Sequence, residues 1–306
     1  MNSIKRGFAL MMIVGLPFIF SACLDSDSPD TADPNVQLNK DIAAIDSYLT
    51  AQGLTAVKDA NGVRMVIQEL GTKLPAKSTS TTINIDYVGK LFSNGTEFDR
   101  GVDKDFLLSG LIGGWQIAFT SLPVGSKATL YIPSYWAYGA SGRSTIPPNA
   151  ILTFDVVFHE AIITSTELAK LKTDTVAIDN YLSGKSIDAV KDTSGIRYVI
   201  TAAGTGAKAT WYDKLTAKFT YKSISDDTKT LITVDQVPSE FFYSRSVDYA
   251  NGLKVGLQKL AKGGKATFYI PSGLGFGTTG AFSNGVNVIP ANTNLIVEVE
   301  ITDITQ

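Results

Sequence analysis

The apolar positions fall into two rhythms. Ile42, Ile45, Tyr48 and Leu49 recur at helical spacing and Gly53 follows as a stop, which predicts a helix through the 40s. Val63 to Ile67 then leads into strand-like sequence, and Ile83-Asn84-Ile85-Asp86-Tyr87-Val88 alternates with period two. Lys127 to Ile132 is a further β-rich run, and Ile151 to Phe158 alternates at Leu152, Phe154, Val156 and Phe158. Asn94-Gly95 and Tyr138-Gly139 mark turns. Thr164 and Glu167 have capping-box spacing, followed by Leu168, Leu171, Ile178, Tyr181 and Leu182 before Gly184. One helix is therefore predicted over residues 165–183. Strands dominate and helices are few, so the fold class is α+β with antiparallel sheet.

The pattern occurs twice. Asp41 to Lys73 and Asp174 to Gly206 align without a gap, identical at sixteen of 33 positions. A second block, LPVGSKATLYIPS from Leu122, returns as LAKGGKATFYIPS from Leu260 with nine of 13 positions identical. The offset grows from 133 to 138 between the blocks, so the second copy carries extra loop residues. A period this long means a duplicated domain, not a solenoid. Residues 41–163 form the first unit and 164–306 the second, with the 165–183 helix joining them.

Ahead of the repeats lies a different kind of sequence. Lys5 and Arg6 precede an apolar run from Gly7 to Phe20, too short to span a ~30 Å hydrocarbon core but suited to a secretory signal. The run closes on Phe20-Ser21-Ala22-Cys23. Small residues before the chain's single Cys resemble the lipobox of bacterial lipoproteins, which implies cleavage after residue 22 and lipidation of Cys23. Residues 1–22 are thus expected to be a lipoprotein signal peptide. Leu24 to Pro34 holds four Asp, two Ser and two Pro, and residues 23–40 read as a flexible acidic tether. The expected location is the bacterial cell envelope, at the outer membrane, on its periplasmic or surface face.

Composition narrows the chemistry. With 27 Lys+Arg against 29 Asp+Glu there is no basic excess, which argues against nucleic acid as a partner. One Cys and one His leave no disulfide framework, no Cys/His zinc site and no histidine triad, so neither metal nor cofactor is expected. His159, the lone histidine, reads as an exposed or core-edge strand residue. Aromatic, aliphatic and carboxylate groups must carry the function.

One family matches what remains. Tyr87-Val88-Gly89, Gly95 to Asp99, Phe106-Leu107-Leu108, Leu111 to Trp115, Leu130 to Pro133, Tyr138-Gly139, Ile146-Pro147-Pro148 and Leu152 to Phe154 resemble, in order and spacing, an FKBP-type peptidyl-prolyl cis-trans isomerase domain. The resemblance runs from about Val63 to Glu160. It implies two FKBP-like domains, each an antiparallel half-barrel sheet around a short helix, here near Trp115 to Thr120, with a further helix preceding each domain. It also implies a pocket. Trp115 would be the floor under a prolyl ring, with Tyr87, Phe98, Phe106, Leu111, Ile146 and Phe154 as walls and Asp99 at the rim. The Ile112 N–H and the Tyr138 hydroxyl would be the two donors to a substrate carbonyl. Arg143 stands in a loop one residue shorter than the common pattern. Expected partners are proline-containing polypeptides, a membrane through Cys23, and macrolide inhibitors of the family.

The second copy loses these residues. At an offset of 138 Trp115 becomes Leu253, Tyr138 becomes Phe276 and Leu111-Ile112 become Tyr249-Ala250, and five residues further on in the second copy Phe154 becomes Val297. No Phe-Asp pair follows Tyr221, and Asp226 to Ser246 diverges too far to align. The leading expectation is an isomerase that helps extracytoplasmic proteins fold, with an inactive second domain. The alternative is a non-catalytic chaperone or scaffold binding extended chains through the same groove.

Overall fold

The structure, a computed structural model, describes residues 34–240, 250–283 and 285–305. The expected signal peptide, Cys23 and Tyr249 lie outside them. Helix α1 (Pro34–Ala51) is followed by β1 (Val57–Lys58), β2 (Arg64–Glu69), β3 (Thr82–Leu91) and β4 (Glu97–Leu107). A short helix α2 (Gly113–Phe119), β5 (Lys127–Ile132) and β6 (Leu152–Ile162) complete the first unit. The strands form one antiparallel sheet in the order β1-β2-β5-β6-β3-β4.

The alternation seen in sequence is physical. Ile83, Ile85, Tyr87, Gly89 and Leu91 of β3 are buried and the residues between them only partly so. They close, with Leu130, Phe154 and Phe158, on Trp115, Ala118 and Phe119 of α2. Gly114 makes this close: a Cβ there would stand 2.3 Å from Ile132 Cγ2. Helix α1 takes the sheet's other face, where Ile45 and Leu49 pack on Val66 and Tyr131.

Helix α3 (Ser165–Gly184) follows β6 at once, its capping box formed by Thr164 and Glu167. The second unit continues with β7 (Val190–Lys191), β8 (Arg197–Ala202), β9 (Thr205–Lys208), β10 (Lys214–Ser223) and β11 (Asp226–Glu240). It ends with α4 (Asn251–Leu257), β12 (Ala261–Lys262), β13 (Lys265–Ile270), β14 (Ala281–Ser283), β15 (Val286–Ile289) and β16 (Leu295–Thr305). Its main sheet, β7-β8-β13-β16-β10-β11, repeats the first strand for strand. Outside the main sheet this unit carries the small hairpin β14–β15, and the pair β9–β12 where the first unit has the isolated bridge between Lys73 and Val124.

Two clasps join each helix to its sheet, and their four residues are identical in the two repeats. Buried Asp41 accepts from the Ser134 N–H at 2.8 Å and from the Ser134 hydroxyl. Arg64 grips Asp46 through Nε at 2.8 Å and Nη2 at 3.2 Å. In the second unit the Ser272 hydroxyl donates to Asp174 at 2.7 Å, and Arg197 grips Asp179 at 2.8 and 3.2 Å.

One expectation needs correction, and one strand went unpredicted. The tether predicted over 23–40 is helical from Pro34 onward. Pro at the first helical position lacks only an N–H that would be unpaired anyway, and the clasp at Asp41 holds the helix from outside. The eleven-residue β4 (Glu97–Leu107) has no counterpart in the sequence pattern. It is an edge strand whose residues, Gly101 apart, are exposed or partly exposed, so it lacks a clear two-residue period.

Candidate active site

The sheet, α2 and two loops bring all ten predicted pocket residues to one place. Tyr87, Trp115, Ile146 and Phe154 are buried in the first core, and Phe98, Phe106, Leu111, Ile112 and Tyr138 pack against it half-buried. Asp99 joins them through the Tyr87 hydroxyl, which donates to Asp99 Oδ2 at 3.0 Å. Trp115 is the hub. Its ring meets Phe154 at 5.0 Å, Tyr87 at 5.1 Å, Phe119 at 5.5 Å and Phe106 at 6.1 Å, all edge to face. Phe98 closes on Phe154 at 5.6 Å. Edge-to-face rings lock one another's rotamers.

The polar groups are few. Burial, and then the bond to Asp99, push the Tyr87 phenol up to about 12, so at neutral pH it is a fixed donor. The Tyr138 hydroxyl has no partner among the described residues. Its ring lies 5.4 Å from the Arg143 guanidinium carbon, a cation–π contact the sequence did not reveal. Ile112 caps α2, and among the described residues no carbonyl accepts from its N–H. The Trp115 indole N–H is likewise buried without an acceptor. Leu111 is held by Gln116, which donates to its carbonyl at 2.8 Å.

Sequence reasoning passed over two neighbours. Trp136 donates from its indole N–H to the Asn61 carbonyl at 2.7 Å and covers Gly113, which fixes the turn that carries Tyr138. Tyr135, 48% exposed, stacks edge-on against it at 4.8 Å. The Tyr135-Trp136 dipeptide after Ile132-Pro133 was the available signal. His159 stands on β6 away from this cluster, beside Asp86 at 3.0 Å. Among the described residues no group of three or more His, Cys, Asp or Glu is arranged to hold a metal.

Strand register compares the two bowls directly. Leu130, Phe154 and Gly89 stand in one row across β5, β6 and β3. The matching row in the second unit is Phe268, Val297 and Tyr221. One row along, Ala128, Val156 and Tyr87 correspond to Ala266, Val299 and Phe219. Phe219, not Tyr221, therefore stands at the position of Tyr87. Leu253 is fully buried where Trp115 stands in the first unit.

The chain is similar to known proteins of one family. The family model described as FKBP-type peptidyl-prolyl cis-trans isomerase matches residues 74–159 and 206–302, together more than half of the chain. The Aeromonas hydrophila FKBP-type peptidyl-prolyl cis-trans isomerase FkpA is 38% identical over 100 residues, covering 31% of this chain and 37% of that protein. The Escherichia coli FKBP-type 22 kDa isomerase is 36% identical over 116 residues, covering 36% of this chain and 54% of that one. The crystal structure of Escherichia coli FkpA aligns at 30% identity with a TM-score of 0.35, covering 42% of this chain and 62% of that one. The matches to the two curated relatives thus span between about a third and just over half of those proteins' length. With a matching segment in each of its two units, this chain belongs to the FKBP-type peptidyl-prolyl cis-trans isomerase family.

Proposed function

We propose that the chain is a peptidyl-prolyl cis-trans isomerase that helps extracytoplasmic proteins fold, with the first bowl as its active site. The observation that carries this reading is the cluster itself: four aromatic rings around Trp115, next to a Tyr138 hydroxyl and an Ile112 N–H that no described group engages. An X–Pro bond rotates over a barrier of ~18–20 kcal/mol without any covalent bond breaking. The twisted amide has lost resonance, so its carbonyl is less polar and more easily stripped of water than the planar form. An apolar bowl favours it for that reason. In this reading Trp115 lies under the prolyl ring, with Tyr87, Phe98, Phe106, Leu111, Ile146 and Phe154 around it. The Ile112 N–H and the Tyr138 hydroxyl hold the rotating carbonyl. Asp99 sets the Tyr87 ring and keeps the rim polar. Lowering the barrier by ~5–7 kcal/mol gives roughly 10⁴- to 10⁵-fold acceleration, and no acid, base or nucleophile is required.

The domains in this proposal are 41–163 for the isomerase unit, extended back to Pro34 by α1, and 164–306 for a binding or spacer unit without activity. Its substrates are proline-containing polypeptides, and macrolides of the kind the family binds would compete for the bowl. Residues 1–22 are a signal peptide, and lipidated Cys23 anchors the chain in the bacterial envelope. The test is a protease-coupled assay of residues 24–306 on a Leu-Pro or Phe-Pro peptide, with Trp115→Ala, checked for folding, as the control. Acceleration by the wild type and its loss in the variant are expected. A wild type that binds a macrolide yet leaves the rate at the uncatalysed value would replace the enzyme reading with the scaffold one.

A further inference from the structure

We infer that one register position decides which bowl is open: Gly89 leaves the first free for a substrate ring, and Tyr221 at the matching position fills the second with the chain's own ring. The inference rests on the reading of the first bowl as the active site. Two observations carry it. A Cβ at Gly89 would stand 2.8 Å from Phe154 Cε1 and 2.8 Å from Phe98 Cζ, so both walls close over a residue with no side chain. Any side chain there drives Phe98 and Phe154 out of the positions from which they would flank a proline.

The second unit shows the converse arrangement. Tyr221 is 1% exposed and points to the core face of β10. Its ring lies 6.5 Å from Phe219 and 6.1 Å from Phe276, the counterparts of Tyr87 and Tyr138. Leu253 and Val297 are smaller than the Trp115 and Phe154 they replace, and protein interiors do not keep voids of that size. The tyrosine ring takes up the volume. Among the described residues the second domain therefore lacks a vacant proline subsite, quite apart from the absent hydroxyl donor and indole floor. Gly89 becomes a specificity-determining residue of the first.

The experiment uses the full mature chain, and its first arm substitutes Gly89. Gly89→Ala is expected to lower kcat/KM roughly tenfold or more, mainly through KM, since one misplaced methyl in a fitted pocket has effects of that order. Macrolide affinity should fall in parallel. Gly110→Ala is the control, because a Cβ there meets nothing within 4 Å, and it should stay within about twofold of wild type. Wild-type rate and macrolide affinity retained in Gly89→Ala would overturn the inference.

The second arm needs no activity at all. Tyr221→Ala should open a buried apolar site, so that indole raises the thermal midpoint of the variant and leaves that of the wild type unchanged. Equal responses of the two proteins would also overturn the inference. A Tyr221→Ala protein that does not fold leaves the Gly89 arm to decide. An inactive wild type refutes the enzyme reading alone, and the indole arm then decides the present one.

Discussion

Replacing Asp41 by Ala tests whether α1 belongs to the first unit energetically as well as in space. Asp41 is 3% exposed and Ser134 is 1% exposed. The substitution removes the two hydrogen bonds that Ser134 donates to the carboxylate, each worth ~1.5–3 kcal/mol, and a third, partly buried one from the Gln37 amide within α1. It also leaves the Ser134 N–H and hydroxyl buried without that acceptor, which costs about 1–3 kcal/mol per group and overlaps with the first loss. A net destabilisation of ~2–4 kcal/mol follows, or roughly 30- to 1,000-fold in the opening equilibrium. Native-state hydrogen exchange read by mass spectrometry resolves β5 from β13 and reports each unit separately. Protection of β5 should fall by that factor while β13 is unchanged. Asp174→Ala should act on β13 alone and less strongly, because the Ser272 N–H is held by Asn294 at 2.8 Å and not by Asp174. Asp41→Asn, which keeps an acceptor oxygen, should lose less than about tenfold. A change below threefold in β5 for Asp41→Ala, or equal changes in both strands, would refute the idea that each clasp serves its own unit.

Tyr138→Phe keeps the ring and removes one donor, so the isomerisation rate should drop about 2- to 10-fold with little change in stability; an unchanged rate removes the hydroxyl from the mechanism. Tyr87 is neutral up to about 12 in the folded state against 10.0 in the unfolded chain. Its contribution to stability is complete below pH 10 and lost as the pH rises through 12, and Tyr87→Phe should flatten that part of the unfolding profile measured from pH 9 to 12. The remaining alkaline slope belongs to groups such as Tyr131, which burial also raises to about 12. In acid the sign reverses: bonds to Arg64 and Arg197 hold Asp46 and Asp179 below 3.8, so both clasps lose strength as the pH falls below that value, and Arg64→Leu should remove the first unit's share of this acid sensitivity. Cys23→Ser should abolish lipid labelling and send the protein to the soluble fraction; unchanged membrane partition would refute the anchor.

Sequence patterning made the buried face of β3 legible, because alternate residues meet a core on one side only. The repeat and the capping box likewise marked α3 to within one residue of its end. What patterning missed had a physical reason each time. Edge strand β4 has little to bury, so its residues carry no clear period. The start of α1 depends on a contact between Asp41 and a serine 93 positions away, which no local signal contains. Strands β3 and β10 each carry a tyrosine, and the sequence alone does not say whether Tyr87 and Tyr221 correspond. Only the partner strands show that the register differs by one inward-facing position, and Gly89, silent in composition, then becomes informative.

The place of β6 has a consequence for how the chain comes into being. It is the last strand of the first unit to be synthesised, yet it lies between β5 and β3. β16 stands likewise between β13 and β10. An N-terminus-first chain can wind its helix and pair β2 with β5, but neither sheet can close until its final eleven residues have emerged. Such long-range pairing is slow to nucleate. Each unit thus has a built-in delay: it stays open and threadable for almost its whole length, and its bowl comes into existence only with its last strand. A chain stopped short of Leu295 would carry a finished first bowl and a second sheet divided in two.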